Sequence, residues 1–182
     1  MVDKPLHIAL AGVKHCGKST LGKMLAKKCG IAFIDSDIEL EKRHNKSTRE
    51  LFRSVGEDEF RRLEAEELGS IVKDNAKSGY VLSLGGGAVS NKFVTDELWN
   101  ALGVSVMIDV SDKTAESRVF ADGTPAYLEK ESDPRAALLR INAQRKEVLK
   151  SRCSKIYPAL EEAEVEVQAE RFYMFLQQEG VL

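Results

Sequence analysis

Cysteine is scarce and unpaired in this chain of 182 residues: Cys16, Cys29 and Cys153 are odd in number, and no two have the spacing of a metal clamp or a redox couple. A reducing compartment is therefore expected. Histidine is equally sparse, and His7, His15 and His44 lack the i, i+4 arrangement of a zinc-binding helix, which argues against a His/Cys metal centre. Basic excess is missing too. With 27 Lys and Arg against 29 Asp and Glu, the formal charge is -2, so neither a nucleic acid nor an anionic membrane is an expected partner. No run approaches the roughly 20 apolar residues of a membrane span. The opening Met1 to Pro5 leads into only a short apolar run, Leu6 to Ala11, which reads as a strand rather than a signal peptide. The cytoplasm is the expected location, and a monomer the expected state.

What is present is a globular composition, 43% hydrophobic and 31% charged with four prolines, enough for one self-sufficient core. No repeat or linker divides it, so residues 1–182 are expected to form a single domain. Short apolar runs alternate with long amphipathic stretches, the pattern of a parallel sheet with crossover helices. Strands are expected at Leu6 to Ala11, Ala32 to Asp35, Tyr80 to Leu84 and Val104 to Val110, with an edge strand at Val165 to Gln168. Helices are expected at Ser19 to Cys29, Ile38 to His44, Asp58 to Ala76, Val94 to Leu102, Ser111 to Phe120, Arg135 to Ser151 and Glu170 to Gln178. Ser47-Thr48-Arg49-Glu50 is a capping box that opens a further helix, interrupted by Gly56. Between Ala121 and Pro134 the chain turns polar and is expected to be mobile.

Gly12-Val13-Lys14-His15-Cys16-Gly17-Lys18-Ser19 satisfies G-x-x-x-x-G-K-[ST], between a strand and a helix as its chemistry requires. Backbone N–H groups and the positive helix end would enclose a polyphosphate, with Lys18 reaching the β and γ phosphates and Ser19 holding Mg²⁺. The guanine-specificity tetrad N-K-x-D is absent, which disfavours a GTPase switch. Gly85-Gly86-Gly87 does not make a dinucleotide fingerprint, because the third glycine position is Ser90. Asp35 and Asp37, at the end of the second strand, either cap the next helix or divide two tasks, Asp35 toward Mg²⁺ and Asp37 toward an acceptor hydroxyl. Arg61 and Glu64, at i, i+3, form either a structural ion pair or a carboxylate-binding fork with its support.

Together these residues resemble the shikimate kinases, which phosphorylate the 3-hydroxyl of shikimate with ATP. The loop continues as Lys18-Ser19-Thr20-x-Gly22; Asp35-Ser36-Asp37 looks like the family's D-x-D; Gly56 to Glu64 matches G-E-x-x-F-R-x-x-E at every specified position; and Ser83 to Gly87 resembles its glycine-rich strand end. The resemblance implies a three-layer α/β/α P-loop kinase fold with a central five-stranded parallel sheet, substrate-binding helices at about 36–77 and a mobile lid at about 121–134. It implies a place in the shikimate pathway of aromatic amino acid biosynthesis. Lys18 and Asp37 would be catalytic; Gly12, Gly17, Lys18, Ser19, Thr20 and Arg118 would bind nucleotide; Asp37, Arg61, Gly85, Gly86, Gly87 and Arg145 would bind shikimate. Ser19 and Asp35 would hold the metal. Arg145 corresponds to the arginine of the family's R-x-P-L-Y, although its proline and tyrosine are missing here.

The lid departs from the family. Where shikimate kinases typically carry Arg-Pro-Leu-Leu, this chain reads Thr124-Pro125-Ala126-Tyr127. A phosphoryl-transfer arginine contributes about 10³ to 10⁵ in rate, so three readings stay open: Lys130 or Arg135 replaces it, transfer is slow, or the acceptor differs. Another hydroxy acid such as gluconate, or a nucleotide-binding protein with little transfer activity, are the alternatives.

Overall fold

The computed structural model describes residues 5–121 and 123–182; residues 1–4 of the expected domain and residue 122 of the expected lid lie outside them. In chain order the main elements are β1 (His7–Ala11), α1 (Lys18–Cys29), β2 (Ala32–Asp35), α2 (Ser36–His44), α3 (Thr48–Val55), α4 (Glu57–Asp74) and β3 (Tyr80–Ser83). They continue with α5 (Asp96–Ala101), β4 (Val104–Asp109), α6 (Asp112–Ala121), α7 (Pro134–Arg152), β5 (Lys155–Pro158) and α8 (Val165–Gln178). All strand pairs are parallel, in the order β2-β3-β1-β4-β5.

The period-two geometry of a strand explains why β1 and β4 are apolar nearly throughout. Ile8 and Leu10 of β1, with Val106 and Ile108 of β4, face Leu21 and Leu25 of α1 and Phe172 and Leu176 of α8 in one cluster. The intervening Ala9, Ala11 and Met107 join Leu68 and Ile71 of α4, Trp99 of α5 and Leu149 of α7 in a second. Helices thus cover both faces, giving the three-layer α/β/α arrangement with a five-stranded parallel sheet. Because the chain leaves β1 toward β2 on one side and leaves β3 toward β4 on the other, the loops after β1 and β3 meet at a switch point, where open α/β sheets form their binding crevices.

Most helix ends lie within about two residues of expectation, and side-chain caps account for the differences. Asp35 accepts from the Asp37 N–H at 3.1 Å, so α2 opens at Ser36 rather than Ile38. Thr95 accepts from the Leu98 N–H at 3.2 Å and delays α5 to Asp96. The edge strand is a correction: Val165 to Gln168 form the first turn of α8, and the fifth strand is Lys155–Pro158. Val165 and Val167 remain 43% and 46% exposed, so their alternation with polar residues reflects no buried sheet face. Tyr157, in contrast, leaves α7 in register with Ile108 and packs against Phe172 and Phe175 at ring distances of 4.8 and 5.3 Å.

Candidate active site

The loop between β1 and α1 closes around Gly17, whose φ of 101° belongs to the left-handed region that a side chain disfavours. Among the described residues no side chain caps α1, which leaves its first N–H groups available to an anion. His15 also takes a positive φ, 61°, in the same loop. Lys18 curls back over the loop and donates to the carbonyls of Gly12 at 3.1 Å and Val13 at 3.0 Å. A cavity of about 610 Å³ opens beside it, lined by Gly17, Lys18, Ser19, Thr20, Asp35 and Arg118 among others. Arg118 donates to the His15 carbonyl at 3.2 Å, which holds α6 against the loop. Gly12 sits at the base of the loop rather than on the cavity wall.

Ser19 donates its hydroxyl to Asp35 Oδ2 at 2.7 Å, while Asp35 Oδ1 receives the Asp37 N–H. The two readings of Asp35 are therefore compatible: one oxygen caps α2 and the other faces the loop. This pair of hard oxygens suits Mg²⁺, which takes few protein ligands and completes its shell with phosphate and water. Among the described residues no cluster of three or more His, Cys, Asp or Glu is gathered for a metal.

A second cavity of about 290 Å³ adjoins the first and brings together Arg61, Glu64, Gly86, Gly87, Tyr127 and Arg145. Arg61 donates to Glu64 at 2.7 Å, and both are mostly buried. Asn91 donates to the Arg61 carbonyl at 2.7 Å and to Glu64 at 3.4 Å, fastening α4 to the segment after β3. A methyl group at Gly87 would meet the Arg61 guanidinium, so a side chain there would displace that fork from its present place. Gly85 lines neither cavity; it lies behind Asp37, whose carboxylate would meet a Cβ at that position. Arg145 on α7 stands 5.6 Å over the Tyr127 ring.

Burial dominates the electrostatics of this wall. Burial, and then the anions Glu64 and Asp35, push Asp37 up to about 6 despite the opposing effect of Lys18. Glu64 is raised by burial, with Arg61 acting against it. Burial lowers Arg145, and its interaction with Tyr127 opposes that shift. Lys130 and Arg135, the cations expected to stand in for a lid arginine, line neither cavity. Arg135 is drawn away by Glu116 at 2.5 Å and by the Phe120 ring at 4.7 Å. Sequence reasoning missed Lys14, Asn91 and Tyr127 as wall or support residues. Lys14 occupies an unspecified position of the loop motif, so no pattern could single it out; Asn91 carried a weak signal, a polar residue four after the last glycine of the run.

The family model for shikimate kinase matches residues 14–177. A shikimate kinase from Rippkaea orientalis is 34% identical over 143 residues, 78% of this chain and 72% of that protein. A shikimate kinase from Acinetobacter baumannii in complex with shikimate has a similar structure, with a TM-score of 0.84, 23% identity, and coverage of 96% of this chain and 94% of that one. A gluconokinase from Sinorhizobium meliloti is more distant, with a TM-score of 0.59 and 17% identity over 96% of this chain and 97% of that one.

Proposed function

The chain belongs to the shikimate kinase family, and we propose that its two adjoining cavities transfer the γ-phosphoryl group of ATP to the 3-hydroxyl of shikimate at the residues they share. The observation that carries this reading is Asp37, which lines both the phosphate-loop cavity and the cavity holding Arg61 and Arg145. Arg61 and Arg145 clamp the shikimate carboxylate, and Glu64 keeps the Arg61 fork in plane. Asp37 orients the 3-hydroxyl and takes its proton as the hydroxyl oxygen bonds to the γ phosphorus and the bond to the bridging oxygen breaks, leaving ADP. Lys18 exchanges its loop carbonyls for phosphate oxygens, and the N–H groups around Gly17, Ser19 and Thr20 enclose the polyphosphate, with Gly12 turning the chain at the base of the loop. Arg118 packs on the adenine. Ser19 and Asp35 hold Mg²⁺, which when bound spreads the charge of the phosphates. Positioning and electrostatics supply the catalysis without a covalent intermediate.

The chain acts as one kinase domain over residues 1–182, with the helices of 36–77 on the acceptor side and residues 121–134 as a lid. It works as a monomer in the cytoplasm. Among the described residues no helix is long and apolar enough to cross a membrane.

Coupled measurement of ATP consumption with shikimate, with gluconate and with neither tests the acceptor: turnover is expected with shikimate alone. Turnover on gluconate, or none on either, overturns the assignment. Arg61→Lys is expected to weaken shikimate binding by about 10- to 100-fold in calorimetric titration while ATP binding changes little, because an ammonium does not reproduce the bidentate fork. Equal losses for both ligands would return Arg61 and Glu64 to a structural ion pair.

A further inference from the structure

Among the described residues, three line both cavities: Lys14, Asp37 and Gly86. They mark the passage a phosphoryl group must cross, and Lys14 is the one cation among them. The backbone of Lys14 runs beside Gly86, so that a Cβ there would lie 3.7 Å from the Lys14 nitrogen and 3.9 Å from its Cα. Phosphate loop and glycine run thus meet at this point.

Three neighbouring cations are engaged. Arg61 is paired with Glu64, Arg118 is bonded to the His15 carbonyl, and Arg49 on the acceptor side is paired with Glu129 of the lid. Lys130 and Arg135 lie off both walls. Over the acceptor cavity the described part of the lid contributes Gly123, Thr124, Pro125 and Tyr127, none of them a cation. Lys14 is exposed and, among the described residues, makes no hydrogen bond or ion pair. A flexible stem with a compact charge suits a group that must follow a moving anion.

We infer that Lys14 meets the negative charge on the phosphoryl group as it passes from nucleotide to acceptor, supplying from the phosphate loop the cation that the lid does not bring to either cavity. This rests on the transfer reading above, with shikimate as acceptor. Lys14 then acts mainly in the transition state, and its loss lowers kcat more than it weakens the binding of either substrate.

Lys14→Met keeps most of the length of the side chain and removes the charge; Lys14→Arg keeps the charge. With saturating ATP and shikimate, kcat is expected to fall by about 10- to 100-fold in the methionine variant and to stay within about threefold in the arginine variant. Calorimetric affinities for ATP and for shikimate should change by less than about threefold in both. A methionine variant with parental kcat overturns the inference, as does a loss of ATP affinity equal to the loss of kcat. If the parental enzyme consumes no ATP with shikimate, the acceptor assignment falls, and ADP with aluminium fluoride decides the role of Lys14 separately. The parental protein should then bind ADP more tightly with the fluoride than without it, and Lys14→Met should lose that gain. An equal gain in the two proteins, including none, overturns it.

Discussion

The Asp37 carboxyl lies in a buried crevice with Glu64 and Asp35 nearby, and burial followed by those charges raises its pKa from 3.8 to about 6. Since the folded value exceeds the unfolded one, the native state holds the proton more tightly between them, and stability declines as pH rises through that window. At pH 8 the ionised group opposes folding by about 2–3 kcal/mol, from a rise of about two units at 1.36 kcal/mol each. Asp37→Asn is therefore expected to be the more stable protein in urea unfolding at pH 8, with the difference shrinking as pH falls through 6 toward 4. It should also lose nearly all transfer. In the parental enzyme kcat/KM for shikimate should drop below about pH 6, where the proton acceptor becomes occupied. A pH profile flat down to 5 would remove Asp37 from that role.

The helix α3 presents Thr48, Arg49 and Phe52 to the acceptor cavity, and its start is set locally. Ser47 Oγ accepts the Glu50 N–H at 3.2 Å, and Glu50 accepts the Ser47 N–H at 2.9 Å. Ser47→Ala is expected to cost about 1 kcal/mol in thermal or urea unfolding, and to raise KM for shikimate more than KM for ATP as the first turn frays. Equal effects on the two constants would separate the cap from the acceptor wall. This helix was legible because its signal spans four residues of sequence. The fifth strand was not, for a strand is defined by its neighbour: Lys155–Pro158 carries little pattern of its own and becomes β5 only by pairing with β4.

At the scale of the molecule, one side chain joins the end of α7 to the segment that follows β3. Arg152 donates to the carbonyls of Val89 and Val94 at 3.1 Å each and to Asp96 at 3.0 Å, and its guanidinium lies 4.6 Å from the Trp99 ring centroid. Trp99 in turn donates to the Arg152 carbonyl at 3.0 Å. Arg152→Met keeps much of the packing but leaves those carbonyls without their donor, an expected loss of about 1–3 kcal/mol in urea unfolding. An unchanged m-value would show that the unfolding unit is the same. Because Arg152 lines neither cavity, kcat should remain near parental when the variant is assayed below its unfolding temperature.

The sequence by itself determined the features whose physics is local: the phosphate loop between strand and helix, the capping box at Ser47, the i, i+3 pairing of Arg61 with Glu64, and the alternation that demands a covered parallel sheet. Each depends on backbone conformation or helical spacing within a few residues. Tertiary structure alone decided which of these side chains meet. Lys14 and Gly86 stand 72 positions apart in the chain and become neighbours only because β3 pairs with β1. Arg145 reaches the Arg61 wall because α7 packs behind the segment following β3, and Arg135 on the same helix is turned away toward Glu116. Proximity across the sheet arises from strand order and layer packing, and neither is carried by any short stretch of sequence.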